Sequence, residues 1–187
     1  KTLHVRRGSP EYFFGEGLIP RDAAAEWLQS EEEKGHRVLG VSYDDGTGAR
    51  FGGFISFVDR IKDSTIATVA AAKQMNVAIT VITGDALKVA EAVGREAGLV
   101  TESAEVTEAA AFLTLPQAER KKRLSSIRVF ARTTPEQKLE LIQLLKEQFA
   151  VGYLGEGIND APALKAAHVS MVVQSAADVA RETADIV

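Results

Sequence analysis

Cysteine is absent from all 187 residues, which excludes disulfides and thiolate chemistry and suits a reducing compartment. Long apolar runs are absent too. No stretch approaches the roughly 18 residues needed to cross a bilayer, and the amino-terminal residues lack the apolar segment of a signal peptide. Histidine is scarce: His4, His36 and His168 are dispersed without metal-ligand spacing. Neither HExxH nor GxxxxGK[ST] occurs, so zinc-protease and P-loop chemistry are unsupported. Neither sign of charge dominates. The formal charge is -4 with both signs mixed along the chain, which gives no electrostatic reason to expect a nucleic-acid partner. The basic run Arg120-Lys121-Lys122-Arg123 reads as a solvated helix end.

What is present is ordinary for a globular protein, 45% apolar and 26% charged residues, enough for one ample domain or a core domain with a smaller attachment. Residues 1–20 show no clear period and stay unassigned. Residues 22–33 read as a helix stopped by Gly35, residues 37–43 and 49–58 as the strands of a hairpin around the turn 44–48. Trp27 and Phe13-Phe14 read as local packing. From about residue 53 strands and helices alternate. Strands are predicted at 54–58, 77–83, 127–131, 151–154 and 169–173, with helices at 64–74, 86–97, 135–148, 161–167 and 176–184. That repetition predicts right-handed crossovers on a mainly parallel, Rossmann-like α/β sheet flanked by helices, with a small amino-terminal α+β attachment. Thr134, Pro135 and Gln137 form a capping box with proline at the first helical position, and Ser175 with Asp178 repeats the box.

In an open parallel sheet, ligands bind beyond the carboxyl ends of the strands. Those ends deliver Asp59, Arg60 and Lys62; then Thr83, Gly84 and Asp85; then Arg132, with Lys138 on the following helix; and finally Gly155 to Asp160. Thr83 supplies a hydroxyl, and Gly84 a backbone that can approach an oxyanion closely. Lys138 supplies a point positive charge suited to a phosphoryl group. Glu156 and Asp160 supply hard oxygens of the kind magnesium demands, with Asn159 able to donate and accept beside them. Taken singly, Thr83-Gly84-Asp85 also reads as a strand-end turn, Lys138 as a surface lysine, Asp59 as a cap and Arg132 as a solvent-facing side chain. The segment from Gly155 to Pro162 is much less ordinary, and all these groups fall at the same end of successive strands.

These segments resemble a known family. GEGINDAPALKAAHVS at 155–170 resembles the GDGxNDxPAL segment of the P-type cation-transporting ATPases, a branch of the haloacid-dehalogenase-like superfamily. VITGD at 81–85 resembles its TGD segment, ARTTPEQK at 131–138 its PxxK region, VDRIK at 58–62 a degraded DPPR or DPPK segment, and 173–187 the usual continuation. Residues 53–187 then correspond to the phosphorylation domain and residues 1–52 to the tail of a nucleotide-binding domain. The resemblance implies ATP and magnesium ion (Mg2+) as cofactors, phosphorylation of an aspartate in a DKTGT sequence, and hydrolysis of that aspartyl phosphate coupled to cation transport. Thr83, Gly84, Asp85, Lys138 and Asn159 would carry the catalytic roles, with Glu156 and Asp160 on the metal. Asp59, Lys62 and Arg132 would lie near the nucleotide. Lys62-Asp63-Ser64-Thr65 and Phe130-Ala131-Arg132 lean towards bacterial magnesium or calcium transporters, in the cytoplasmic portion of a plasma-membrane protein.

Three departures bear on these expectations. DKTGT does not occur, so the nucleophile lies outside the chain, and the sheet is expected to lack its central strand, leaving two edges able to self-associate. Membrane, actuator and further nucleotide-domain segments would also belong to a longer protein. Arg60-Ile61 replaces paired prolines. Glu156 stands where the family has aspartate, moving the carboxylate by on the order of 1 Å, which octahedral magnesium tolerates poorly. A soluble phosphatase of the same superfamily and a non-catalytic binding module are the competing readings. Glu156→Asp in the full-length protein is expected to raise ATPase turnover at limiting magnesium; an unchanged rate and magnesium dependence would remove that expectation.

Overall fold

The computed structural model describes residues 2–58 and 60–187. In chain order the first elements are β1 (His4–Gly8), α1 (Pro10–Gly15), α2 (Ala25–Glu33), β2 (Arg37–Asp44), β3 (Ala49–Phe57), α3 (Ser64–Gln74), β4 (Val81–Ile82) and α4 (Leu87–Glu96). Next come β5 (Val106–Glu108), α5 (Ala109–Leu113), α6 (Gln117–Arg123), β6 (Val129–Ala131), α7 (Pro135–Lys146), β7 (Gly152–Gly155), α8 (Ala161–Ala166), β8 (Val169–Val172) and α9 (Asp178–Thr183). The described residues form two compact units, one of residues up to 79 with 86–103, the other of 80–85 with 104–187.

The second unit carries the expected parallel architecture. Strands run in the order β4-β6-β5 in one sheet and β7-β8 in another, with parallel pairing throughout. Its core lies where α5, α7 and the segment after α6 meet β6: Ala109, Phe112, Leu124, Ile127, Phe130 and Leu141 are buried together, with Phe112 and Phe130 edge to face. Strand β6 is buried at all three positions, as expected for a parallel strand covered on both faces. A second cluster places Ile142 of α7, Val151 and Ala163 of α8 against Ile82 and Tyr153.

Among the described residues β4 pairs with β6 on one edge and β7 with β8 on one edge, and the two sheets are separate. The predicted strand 77–83 is reduced to Val81–Ile82. Val81 and Thr83 donate N–H groups to Arg128 and Phe130 carbonyls, but residues 77–80 are outside this ladder, and Val77 is 52% exposed. An apolar pattern marks strand tendency; a ladder partner decides strand length.

Helix α7 starts where its signals place it. Thr134 Oγ1 accepts from the Gln137 N–H and the Gln137 side chain accepts from the Thr134 N–H, completing the box. The second predicted box is corrected: α9 begins at Asp178 with Ala177 at its cap position, and Ser175 does not cap it. Ala176 is buried with Leu164, Val172 and Ala180, and its N–H bonds the Val173 carbonyl. Tertiary packing thus bends residues 174–177 into a turn.

The first unit is an antiparallel sheet, β1-β2-β3, with α1 and α2 packed on it. The hairpin predicted at 37–58 is present, and Asp44 Oδ1 accepts the N–H groups of Gly46 and Gly48 across its turn. Two readings change. Residues 1–20 contain β1 and α1, and residues 54–57, expected to open the parallel series, belong to antiparallel β3. Phe13 is fully buried over Gly40, where an added Cβ would lie 2.4 Å from the ring. Trp27 stacks on Phe54, so these aromatics are packing groups, as expected.

Glu31 of α2 ties this unit together. Its carboxylate accepts from Lys34 at 2.8 Å, from His36 Nδ1 at 2.7 Å and from the Ser56 hydroxyl of β3. The bonds from Lys34, then Ser56 and His36, outweigh burial and hold the Glu31 carboxyl at about 2, against an ordinary 4.5. A depressed carboxyl stabilises the fold fully above its unfolded value and loses that contribution as pH falls through its folded value. The window is therefore pH 4.5 down to about 2. Glu31→Gln is expected to flatten the acid limb of the unfolding profile in that window and to lower stability at neutral pH, measured by urea midpoints against pH.

Candidate active site

Lys138 and Asp160 meet although 22 residues separate them. The capping box sets the first turn of α7, which presents Lys138 one turn later, while Asp160 ends the single 3-10 turn between β7 and α8. Lys138 Nζ lies 2.7 Å from Asp160 Oδ1, with side-chain exposures of 17% and 11%. So sheltered a pair is not a surface ion pair of negligible worth, but its desolvation offsets much of its attraction, which makes it weak as a stability device. Sheltered charges at strand ends point instead to a site.

The rest of the turn is organised around the same carboxylate. Asp160 Oδ2 accepts the N–H groups of Glu156 at 3.3 Å and Gly157 at 3.2 Å, and Oδ1 also accepts the Tyr153 hydroxyl at 3.0 Å. Burial acts to raise the Asp160 carboxyl. The Lys138 bond, the Gly157 N–H, the Lys138 charge and the Tyr153 hydroxyl outweigh it and hold Asp160 below the ordinary 3.8. Tyr153 moves the other way: burial, the Asp160 charge and its bond to Asp160 push the phenol up, so it remains a neutral donor. Gly155 is required by close approach. An added Cβ would lie 2.9 Å from Asp160 Cβ and 3.1 Å from the Tyr153 ring.

A second group forms at the carboxyl ends of β4 and β6. Thr83 Oγ1 donates to Asp85 Oδ2 at 2.8 Å and accepts the Asp85 N–H at 3.1 Å. Arg132 takes a left-handed backbone (φ 49), its N–H bonds the Asp85 carbonyl, and its guanidinium pairs with Glu108 at 3.3 Å. Thr133 links the strands by donating its N–H to the Thr83 carbonyl. Gly84 is exposed beside this link.

The predicted residues therefore divide. Lys138 and Asp160 are brought together with the backbone of Glu156; Thr83, Asp85 and the Arg132 backbone are brought together; Gly84, Asn159 and the Glu156 side chain are exposed at the same strand ends. Lys62 is exposed in the first unit, its carbonyl accepting from Thr65 N–H. Asp59 lies outside the described residues. Tyr153 and Glu108 were missed. Tyr153 occupies a strand position that reads as core, and nothing in the local pattern announces its hydroxyl contact. Among the described residues, no group of three or more His, Cys, Asp or Glu side chains is arranged to hold a metal unaided.

Parallel strands with polar groups gathered beyond their carboxyl ends, Thr83 and Asp85 after β4 and the Lys138–Asp160 pair after β7, define an α/β protein of the open parallel class. Residues 2–168 match the model of the haloacid dehalogenase-like hydrolases, and the chain belongs to that family. The magnesium-transporting ATPase, P-type 1, of Escherichia coli K12 is 40% identical over 136 residues, covering 72% of this chain and 15% of the relative. The plasma membrane ATPase of Zygosaccharomyces rouxii is 32% identical over 176 residues, covering 90% of this chain and 19% of the relative. The calcium-transporting ATPase type 2C member 2 of Rattus norvegicus is 32% identical over 168 residues, covering 86% and 18%. A crystal structure of a zinc-transporting PIB-type ATPase in the E2.Pi state shares the fold, with TM-score 0.60, 24% identity, and coverage of 98% of this chain and 24% of that one. The chain thus resembles the P-type cation-transporting ATPases while spanning less than a fifth of these curated relatives.

Gly155→Ala is expected to push Asp160 from its place, lowering stability by about 1–3 kcal/mol. Urea unfolding of the variant beside the native chain measures it, and an unchanged midpoint would show that the turn yields without strain.

Proposed function

We propose that this chain is the catalytic part of an ATP-driven cation pump. Residues 53–187 form the phosphorylation domain and residues 1–52 the tail of the nucleotide-binding domain. The sheltered Lys138–Asp160 pair at a parallel strand end carries the reading, supported by similarity to several ATPases named for cation transport. On this reading an aspartate outside the chain takes phosphate from ATP, and the aspartyl phosphate is then hydrolysed. The protein sits in a membrane through segments outside this sequence. Among the described residues no helix is long and apolar enough to cross one.

The residues act through position and charge, which is what phosphoryl transfer asks of a protein. Lys138, held in place by Asp160 before substrate arrives, presents its ammonium to phosphoryl oxygens with little reorganisation. Asp85 holds the Thr83 hydroxyl at the strand end until substrate arrives; the hydroxyl then turns its one proton from Asp85 to the phosphoryl group, with the Gly84 amide beside it. Asn159 adds an exposed amide beside them. By motif resemblance Asp59, Lys62 and Arg132 are each assigned to nucleotide binding. The donor set suits magnesium: Glu156 and Asp160 are carboxylates on one turn, and this ion takes one or two of them, keeping its other positions for water and phosphate. Bound there, the ion would neutralise phosphate charge.

The full-length protein in membrane vesicles is expected to show vanadate-sensitive ATPase activity stimulated by one or more members of a cation panel. Lys138→Met should lower kcat by about a hundredfold or more. Turnover indifferent to every cation, or undiminished in the variant, would reject the reading.

A further inference from the structure

The Asp160 carboxylate is held by more donors than an ion pair needs. An ionised carboxylate has about four acceptor positions, and here Lys138 and Tyr153 fill two on Oδ1 while the amides of Glu156 and Gly157 fill two on Oδ2. A cation that takes Asp160 as a ligand must displace one of them. The two amides are fixed by the backbone of the turn. Lys138 carries a full charge and gives up a charge-assisted bond on leaving. Of the two donors on Oδ1, Tyr153 is the neutral one, and its 3.0 Å bond is weaker than the 2.7 Å bond from Lys138. Its ring cannot swing freely, because it packs against two clusters, that of Leu164, Val172, Ala176 and Ala180 and that of Ile142, Val151 and Ala163.

We propose that Tyr153 is a positioning residue that competes with a divalent cation for Asp160 Oδ1, steering the carboxylate towards Lys138 and weakening its affinity for the cation. This rests on Asp160 being a cation ligand, as proposed above. Packing keeps the phenol aimed at Oδ1, so the bond re-forms whenever the cation leaves. Tyr153 thereby favours release of the ion and restoration of the Lys138–Asp160 pair between cycles.

Binding of manganese ion to the full chain, followed by loss of the free-ion paramagnetic resonance signal, tests this. Tyr153→Phe removes only the hydroxyl and is expected to bind roughly three- to tenfold more tightly, the worth of one neutral hydrogen bond. Tyr153→Leu removes ring and hydroxyl and should also bind more tightly than the native chain. Thermal unfolding without the ion confirms that both variants are folded. Equal or weaker binding by Tyr153→Phe, tightening by Tyr153→Leu alone, or no binding by any of the three proteins overturns the proposal. Asp160→Asn separates this from the reading beneath it. If that variant loses the ion while Tyr153→Phe matches the native chain, only the role of Tyr153 falls; if it keeps the native affinity, Asp160 is not the ligand and both fall.

Discussion

The ammonium of Lys138 and the carboxylate of Asp160 join two segments that the chain order keeps apart, and the geometry of the site follows from that contact. Satisfying Asp160 requires the amides of Glu156 and Gly157 to point inward, which curls residues 156–160 into a single turn after β7. The curl in turn demands a residue without Cβ at Gly155. It aims the start of α8 so that Ala163 and Leu164 enter the core. Desolvating two charges is costly, and four hydrogen bonds to one carboxylate offset that cost. A sequence selected for stability alone would place an apolar pair there more cheaply.

The two-part parallel sheet gives the second unit its other defining constraint. Parallel strands are ordinarily covered on both faces and paired on both edges except at the margins. Here β6 meets that description, whereas β4 and β7 each pair on one edge among the described residues. Leu154 in the middle of β7 is 65% exposed, so β7 also has a face that nothing covers. The parallel order agrees with membership of the haloacid dehalogenase-like hydrolases. Glu156 leaves its side chain exposed while its amide serves Asp160.

Much of this was legible in the sequence wherever the cause was local. The start of α7 is an example, because Thr134, Pro135 and Gln137 satisfy helix-end groups within one turn and need no distant partner. The β2–β3 hairpin was legible for the same reason, since Asp44 closes its own turn. Failures occurred where a distant segment decides. Residues 77–80 have strand-like composition but no ladder neighbour. Residues 54–57 pair backwards with β2 and not forwards with a parallel strand. Ser175 loses its capping role because burial of Ala176 displaces the helix start.

By itself the sequence determined the alternation of strands and helices, the glycine-bounded turn from Gly155 to Asp160, and the residue types suited to phosphate and magnesium, because periodicity, turn chemistry and charge are properties of neighbouring residues. Only the tertiary structure decided that Lys138 spends its charge on Asp160, that Tyr153 shares the same oxygen, and that Thr83 is engaged by Asp85. The physical reason is distance. A hydrogen bond forms only within about 3 Å, and for the Lys138, Tyr153 and Asp160 side chains that distance is set by the packing of α7, β7 and α8 around Ile142, Val151 and Ala163.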